Sequence, residues 1–291
     1  MSKTSSVTLG LVQHACGDDR RANQRAADDL IRQAADRGAQ IVATQELFLS
    51  TYFCQAEDEA RFALAEPIPG PTSQHLCELA RELGIELTAS LFEKRAPGVF
   101  HNTSIMIDPS GEIVGKYRKM HIPDDPNFYE KYYFTPGDLD WQTQRTRHAT
   151  TGMLVCWDQW FPEAARLTAM RGAQVIFYPT AIGWQDIDDK PTQQHQRDAW
   201  RTMQRAHAIA NGVFVAAINR VGTEGAITFW GSSFVADPAG VVIAEASERE
   251  PQVLIADCDL SKIDAARKAW PFLRDRRIDA YQGLTRRLLD E

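Results

Sequence analysis

The sequence predicts an α/β fold in which two β-sheets pack together and helices cover their outer faces. Three observations support this prediction. Short apolar segments typical of buried strands recur along the 291 residues, and a few long amphipathic segments typical of helices lie between them. The predicted strands outnumber the helices, so sheets should form the centre. No linker or low-complexity segment divides the chain, which predicts one domain over residues 1–291 with residues 270–291 as a C-terminal arm.

Periodicity and stop signals define the elements of the first half. Residues 19–38 place apolar side chains at helical spacing and end at Gly38, a common type of helix stop. A PSG segment separates two apolar runs in the manner of a hairpin turn. The predicted elements are a strand at 7–14, a helix at 19–38, a strand at 39–46, a helix at 73–84, a strand at 85–93, and hairpin strands at 102–108 and 112–119.

The second half begins with residues 120–150, which are rich in Pro, Asp, Tyr and Gly. A segment of this length without a regular pattern is predicted to be a functional excursion from the fold. The predicted elements after it are a strand at 150–156, a helix at 162–172, a strand at 173–180, a helix at 191–212, a strand at 213–219, hairpin strands at 231–237 and 241–247, a strand at 251–260 and a helix at 261–270.

Charge and hydropathy narrow the possible partners. The net charge is −7 and the pI is about 5.6, so neither nucleic acid nor an anionic membrane is an expected partner. No apolar run approaches the roughly 18 residues of a membrane span. The first residues, MSKTSSVTLGLVQH, enter an apolar alternation without the pattern of a signal peptide. We therefore expect a cytoplasmic protein that acts on a small molecule.

The five cysteines have wide and irregular spacings, and no C-x-x-C pair occurs among them. This pattern indicates neither a zinc site nor a redox pair, so no metal is expected. The default interpretation of each cysteine is a small buried side chain without chemistry.

Three polar residues stand at the predicted ends of strands. They are Glu46, Lys119 and Cys156. Ligand sites of α/β proteins gather at the carboxyl ends of strands, so a base, a cation and a nucleophile could meet there. Spacing alone leaves the ordinary alternatives open, namely a solvated glutamate, a basic surface run and a structural thiol.

The segments around these three residues are QELF, GKYRKMHIP and CWDQWFPEAAR. They resemble the three signature blocks of the nitrilase (carbon–nitrogen hydrolase) superfamily in composition, order and separation. The resemblance extends over nearly the whole chain and includes FYPTAIG at 177–183 and WPFLRDRRIDAY at 270–281. It implies a four-layer α-β-β-α sandwich, a Cys–Glu–Lys triad, no metal or cofactor, and a homo-oligomer.

The resemblance also implies a role for each residue of the triad. Cys156 would attack a carbonyl carbon, and a helix starting beside it would favour the thiolate. Lys119 and the backbone N–H of Trp157 would stabilise the oxyanion, while Glu46 would act as the general base. Glu130 matches a second glutamate of the family, which would orient the lysine or the substrate. Its alternative is a solvated glutamate paired with the adjacent lysine.

The turn after Cys156 is predicted to be stabilised by Asp158 and Glu163. Trp157 and Trp160 are expected to form walls of the pocket, although either could be an ordinary core residue. The other residues predicted for the oxyanion site or the pocket are Tyr52, His121, Asp158 and Thr180.

Within the superfamily, the same segments most resemble the branch that hydrolyses N-carbamoylputrescine, a reaction of polyamine biosynthesis. Relatives that hydrolyse N-carbamoyl amino acids carry arginine or histidine shortly after the cysteine, whereas Gln159 and Trp160 stand here. A substrate carboxylate would lack its partner, so a cationic tail is expected, held by aromatic and acidic side chains. The acids proposed for the tail are Asp124, Asp125, Asp186, Asp188 and Asp189, although for any single one a solvated loop charge is the favoured interpretation.

One segment departs from the branch. Residues 184–196 differ from the corresponding loop of the putrescine-type relatives, although the flanking residues agree. The sequence therefore leaves other substrates open, above all an ω-amide or another N-carbamoyl amine. A nitrilase acting on C≡N bonds and a non-catalytic member of the fold are further alternatives, and the intact triad argues against the latter.

Overall fold

The computed structural model describes residues 6–290, and the ends of the predicted domain, residues 1–5 and 291, lie outside them. Within this range the strands are β1 (Ser6–Gln13), β2 (Ile41–Thr44), β3 (Glu86–Ala96), β4 (Val99–Ile107), β5 (Ile113–Arg118), β6 (Thr143–Arg145), β7 (Thr150–Met153), β8 (Val175–Pro179), β9 (Gly183–Gln185), β10 (Phe214–Ile218), β11 (Val221–Glu224), β12 (Ile227–Trp230), β13 (Phe234–Ala236), β14 (Val242–Glu245) and β15 (Gln252–Asp259). The α-helices are α1 (Arg20–Asp36), α2 (Pro71–Leu83), α3 (Glu130–Tyr133), α4 (Pro162–Met170), α5 (Lys190–Asn211) and α6 (Ser261–Ala269).

Two six-stranded sheets share one plan. The first has the strand order β15-β1-β2-β3-β4-β5, and the second has the order β14-β13-β10-β8-β7-β6. In each sheet three central strands are parallel (β1, β2 and β3 in the first; β10, β8 and β7 in the second), and antiparallel strands flank them. The carboxyl ends of β2 and β7 lead into the segments that carry Glu46 and Cys156.

The two sheets bury a common core. Leu11 of β1 belongs to the same apolar cluster as Phe177 of β8 and Phe214 of β10. Helices α1 and α2 cover the outer face of the first sheet, and α4 and α5 cover that of the second. The order of layers is therefore α-β-β-α, which confirms the fold class predicted from the sequence.

Helix boundaries follow local chemistry. Asp19 caps α1 by accepting hydrogen bonds from two backbone N–H groups of its first turn. Helix α2 begins at Pro71, two residues before its predicted start, because proline is well suited to the first helical position. Gly212 ends α5 with φ of 55°, a left-handed conformation that favours glycine.

A small sheet was not predicted. Strands β11 and β12 form a hairpin, and β9 pairs with β12 to complete a three-stranded sheet. The sequence of residues 221–230 predicts no element because the strands are short and their pattern is interrupted at Gly225. This sheet contributes walls to the site described below.

The C-terminal arm follows α6 as short 3-10 turns on the surface. Its large apolar side chains are partly open to solvent, and Trp270 is 61% exposed. Among the residues that the structure describes, no helix is long and apolar enough to cross a membrane. The same residues contain no cluster of His, Cys, Asp and Glu side chains arranged to hold a metal ion.

Candidate active site

Cys156 lies on a strained turn between a strand and a helix. Strand β7 ends at Met153, and Cys156 begins a 3-10 turn that runs to Trp160. The φ angle of Cys156 is 42°. A left-handed conformation costs a non-glycine residue about 1–3 kcal/mol and persists only where its surroundings fix it. The turn thus presents a buried thiol at the carboxyl end of the second sheet.

The carboxylate of Asp158 stabilises this turn through hydrogen bonds to both of its oxygens. One oxygen accepts hydrogen bonds from the Val155 N–H at 2.9 Å and the Tyr117 hydroxyl at 2.8 Å. The other oxygen lies 2.8 Å from His121 Nδ1 and accepts the His121 backbone N–H at 3.1 Å. Asp158 is therefore part of the support for Cys156 and not of the pocket wall. Glu163, which was expected to help, is exposed on the first turn of α4.

His121 also lies outside the pocket, contrary to its predicted place. Its imidazole stacks on the ring of Phe161, with 3.6 Å between ring centroids and an interplanar angle of 5°. The segment after Lys119 turns back toward Asp158, so the imidazole packs beside the 3-10 turn that begins at Cys156 and does not line the cavity.

Glu46, Lys119 and Glu130 form a fully buried cluster. Lys119 Nζ donates hydrogen bonds to Glu46 Oε1 at 2.9 Å and to Glu130 Oε2 at 2.6 Å. Asn102 Nδ2 donates to the same Glu46 oxygen at 2.7 Å, and the Tyr52 hydroxyl donates to Glu130 Oε1 at 2.7 Å. The lysine therefore has two carboxylate partners, and the alternative of a solvated Glu130 is wrong.

The second oxygen of Glu46 differs from the first. Among the residues that the structure describes, Glu46 Oε2 is buried and has no hydrogen-bond partner. A buried acceptor without a partner is costly, and such groups often mark a site of chemistry. This oxygen is free to take a proton, whereas Oε1 is fixed by Lys119 and Asn102.

Electrostatics fix the charge of the lysine. Burial alone would lower the pKa of Lys119, but the charges of Glu130 and Glu46 outweigh this and raise the pKa well above its usual value. Lys119 is therefore a cation at any working pH. A fixed positive charge in a dry site interacts strongly with a developing negative charge.

The thiol is neutral at rest. Burial raises the pKa of Cys156 well above its usual value, and the negative charge of Glu46 adds to the effect, while Lys119 opposes it. The expectation that a helix beside the cysteine favours the thiolate is corrected here, because α4 begins only at Pro162. A neighbouring base that takes the thiol proton would therefore assist attack by the sulfur.

Glu130 makes stability depend on pH. Burial raises its pKa to about 7, and Glu46 adds to the rise while Lys119 opposes it. The folded state binds this proton more tightly than the unfolded state. Its contribution to the free energy of unfolding is therefore fully present below the unfolded pKa of about 4.5 and is lost as pH rises to about 7.

We expect Glu130→Gln to flatten the decline of the urea midpoint between pH 5 and 8, because glutamine does not titrate. The exposed Glu59→Gln is the control, and an unchanged slope in Glu130→Gln would contradict the assignment.

A cavity of about 370 Å³ opens above the thiol. Four aromatic side chains and two carboxylates contribute to its wall within residues 6–290, and no lysine or arginine does so. The lining residues are Pro123, Asp125, Phe128, Glu130, Cys156, Trp157, Gln159, Trp160, Ala181, Ile182, Gly183, Gln185, His195, Gln196, Ala199 and Trp230. The predicted places of Trp157 and Trp160 in the wall agree with this cavity.

Of the five acids predicted for the substrate tail, only Asp125 lines the cavity. Asp188 accepts the backbone N–H of Gln185 at 2.9 Å, and Asp189 caps α5. Asp124 and Asp186 are exposed away from the wall. Acidic side chains in these loops mainly stabilise turns, which sequence alone does not distinguish from ligand binding.

Two other predicted pocket residues lie behind the wall. Tyr52 is buried beneath Glu130 and acts through it. The Thr180 hydroxyl donates to the carbonyl of Tyr178 at 2.9 Å and lies 3.3 Å from Gln159 Oε1. Both residues support the site without lining the cavity.

Sequence reasoning missed the part that the loop and small sheet play. Gln185, His195, Gln196 and Trp230 line the cavity, and the first three belong to the divergent segment 184–196. That divergence was the available signal that this segment forms part of the cavity wall. Trp230 gave no signal, because its strand was not predicted.

The side chain of Gln159 is fixed from the outer helix. Its Oε1 accepts the Trp200 indole N–H at 2.8 Å and the Gln204 amide at 2.9 Å. The indole is only a donor, so this contact determines which way the Gln159 amide points. Its backbone carbonyl lies 2.7 Å from His207 Nε2. Gln159 is thus a rigid part of the wall.

Comparison with known proteins bears on this geometry. The model of the family described as carbon-nitrogen hydrolase matches residues 8–268. This chain belongs to the carbon-nitrogen hydrolase family. It is 45% identical to the N-carbamoylputrescine amidase of Solanum lycopersicum, with 97% of this chain and 96% of that protein covered. It is 38% identical to the citrullinase of Francisella tularensis subsp. tularensis, with 97% and 99% covered.

A solved structure agrees over the whole fold of this carbon-nitrogen hydrolase. The crystal structure of a carbon-nitrogen hydrolase from Helicobacter pylori G27 has a TM-score of 0.95 and 44% sequence identity. The match covers 98% of this chain and 100% of that chain. The superfamily resemblance seen in the sequence is therefore confirmed, and the chain is a hydrolase of carbon–nitrogen bonds.

Proposed function

We propose that this carbon-nitrogen hydrolase cleaves the carbamoyl C–N bond of N-carbamoylputrescine, giving putrescine, carbon dioxide and ammonia. The observation that carries the proposal is the thiol of Cys156 in a cavity wall without lysine or arginine within residues 6–290, beside the buried pair of Glu46 and Lys119, whose charges act on that thiol. The nearly full-length similarity to curated N-carbamoylputrescine amidases supports the choice of substrate. No cofactor is required by the steps below.

Bond formation at sulfur begins the reaction. The Cys156 sulfur attacks the carbamoyl carbon while Glu46 Oε2 takes the thiol proton. The carbonyl oxygen becomes an oxyanion, which Lys119 Nζ and the Trp157 N–H stabilise. As the second residue of a helical turn, Trp157 has its N–H outside the hydrogen bonds of that turn.

Collapse of the adduct completes the first half. The C–N bond breaks, Glu46 returns the proton to the departing amine, and a carbamoyl thioester remains on Cys156. Glu46 then takes a proton from water as the hydroxide oxygen attacks the thioester. The C–S bond breaks, the thiol recovers its proton, and the released carbamic acid decomposes to carbon dioxide and ammonia.

The cavity suits a cationic tail. Phe128, Trp157, Trp160 and Trp230 present aromatic surface, which attracts an ammonium group, and Asp125 lies at the rim. Gln159 stands where carboxylate-binding relatives carry arginine, so a carboxylate tail would lose a bidentate partner.

The second candidate is an ω-ureido amino acid such as citrulline. The observation in its favour is the 38% identity to a citrullinase over nearly the whole chain. His195 at the rim is the one imidazole in the cavity wall of the described residues and could face a carboxylate. Both candidates share the same chemistry at Cys156 and differ only in the tail.

Ammonia release from four substrates tests the proposal, the fourth being a simple ω-amide. Purified protein should turn over N-carbamoylputrescine strongly, and citrulline and N-carbamoyl-β-alanine weakly or not at all. Preferred turnover of citrulline would select the second candidate, and turnover of a simple ω-amide alone would reject both. Assembly into homo-oligomers and a cytoplasmic location stay predictions.

Asp125→Asn should raise KM for N-carbamoylputrescine about fivefold and leave kcat nearly unchanged, because an exposed ion pair contributes about 1 kcal/mol. The neighbouring Asp124→Asn is the matched control, since Asp124 is exposed but does not line the cavity. Equal effects of the two substitutions on KM would show that the overall negative charge of the loop, and not a contact with Asp125, attracts the substrate.

A further inference from the structure

We propose that the buried ion pair of Arg220 and Glu224 is a positioning device that sets the general base Glu46 and the hydroxyl of Tyr52. The inference rests on the proposed function of Glu46 and goes beyond it. Arg220 follows β10 of the second sheet, and Glu224 ends β11 of the small sheet. Neither residue lines the cavity above Cys156.

The guanidinium of Arg220 holds the backbone of the base. Its Nη2 donates to the carbonyl of Glu46 at 2.7 Å and to that of Leu47 at 3.2 Å. Its Nη1 donates to the carbonyl of Ser50 at 3.2 Å. A single planar group thus fixes three carbonyls of the loop after β2, a task that the fork of arginine donors performs and a lysine ammonium does not.

Glu224 completes the device from the other side. Its Oε1 accepts Arg220 Nη1 at 2.9 Å, and its Oε2 accepts the backbone N–H of Tyr52. The hydroxyl of Tyr52 in turn donates to Glu130, the second partner of Lys119. The pair therefore contacts both ends of the loop 46–52. The side chains at these ends, Glu46 and Tyr52, bind Lys119 and Glu130.

The loop needs this support because part of it is strained. Leu47, directly after the base, has φ of 48°, which is unfavourable for a leucine. Its carbonyl is one of those bound by Arg220. Without the guanidinium the residue can relax toward an ordinary conformation, and the carboxylate of Glu46 would shift relative to the sulfur.

A small shift has a large kinetic effect. Misplacement of a reacting group by about 1 Å can reduce the rate about 100-fold. Glu46, Arg220 and Glu224 do not line the cavity, so contacts to the substrate tail should change little. We therefore expect loss of the device to lower kcat by about 10- to 100-fold, while KM changes less than about twofold.

The main test variant is Arg220→Met/Glu224→Gln, which removes both charges and leaves no unpaired buried ion. The glutamine still offers an oxygen to Tyr52. The matched control is Glu86→Gln, because Glu86 is also a buried carboxylate that binds backbone N–H groups, those of Arg147 and His148, and does not line the cavity. Each variant is assayed well below its unfolding temperature.

Two readouts separate positioning from stability. The first is kcat and KM with N-carbamoylputrescine, and the second is the rate of Cys156 alkylation by iodoacetamide between pH 6 and 9. The double variant should lose kcat and alkylate more slowly near neutral pH, and Glu86→Gln should change neither. A double variant with wild-type kcat and alkylation would overturn the proposal.

Arg220→Lys provides a test that does not depend on the double variant folding well. Lysine keeps the charge partner of Glu224 but cannot bind three carbonyls. If Arg220→Lys is about as stable as the wild type and has a reduced kcat, the positioning role of Arg220 is supported. If its kcat equals that of the wild type, that role is rejected. If the wild type itself fails to release ammonia from N-carbamoylputrescine, the substrate assignment fails, while the alkylation rates still decide the role of the pair.

Discussion

Cys156→Ala should abolish hydrolysis of N-carbamoylputrescine, with kcat reduced by at least about 10⁴-fold. The substitution removes the atom that forms the acyl intermediate, and neither Glu46 nor Lys119 can replace it. The fold should be retained, because alanine fills the same buried turn with one atom fewer. Ammonia release and the thermal unfolding midpoint, measured on the same preparation, check both expectations.

A second buried cysteine gives the matched control. Cys258 lies in the core between the two sheets, far along the chain from Cys156, and is fully buried. Cys258→Ala should retain turnover while losing a similar amount of packing. If Cys156→Ala keeps turnover comparable to that control, the mechanism through a covalent thioester is wrong.

Lys119→Met should reduce kcat by about 10³-fold or more and also weaken the fold near neutral pH. A single oxyanion donor is worth about 10²–10³ in kcat, and here the base is disturbed as well. Without the ammonium, Glu46 and Glu130 face one another in a dry site, so one of them must take up a proton. Removing one partner of a buried ion pair typically costs about 3–5 kcal/mol.

The pH dependence of Lys119→Met is the measurement that decides. Its unfolding free energy should recover as pH is lowered toward 5, because protonated carboxyls no longer need the cation. The control is Lys116→Met on β5, the strand that leads into Lys119, because the ammonium of Lys116 also binds a carboxylate, that of Glu93 at 3.1 Å. A variant Lys119→Met that keeps turnover, or whose stability does not respond to pH, would contradict the assigned charge of the cluster.

The three residues of the candidate site could be picked out from the sequence because the segments around them resemble the family blocks, whereas their positions at strand ends alone left the ordinary alternatives open. Glu46, Lys119 and Cys156 each follow a recognisable apolar run, and the family blocks surround each of them. The alternation of strands and helices was sufficient for the layers. Boundaries such as that of α4, which begins at Pro162, were close because proline marks them.

The supports of the site could not be predicted. Arg220 contacts Glu46 across 174 positions of chain, and Trp200 contacts Gln159 across 41. Such contacts depend on how two sheets and an outer helix meet, which no local pattern records. The acids of the tail loops show the same limit, because Asp125 and Asp188 look alike in sequence while only Asp125 lines the cavity.

The position of the triad on the sandwich has a further consequence. Glu46 and Lys119 extend from the first sheet, whereas Cys156 extends from the second. In the proposed reaction, each proton that moves between the thiol and the carboxylate therefore passes from one sheet to the other. The distance between the thiol and the carboxylate therefore depends on how the two sheets pack against each other. Leu11 and Phe177 are buried in the cluster between the two sheets and do not line the cavity, so we expect their packing to affect the rate of the proposed reaction without contact to the substrate.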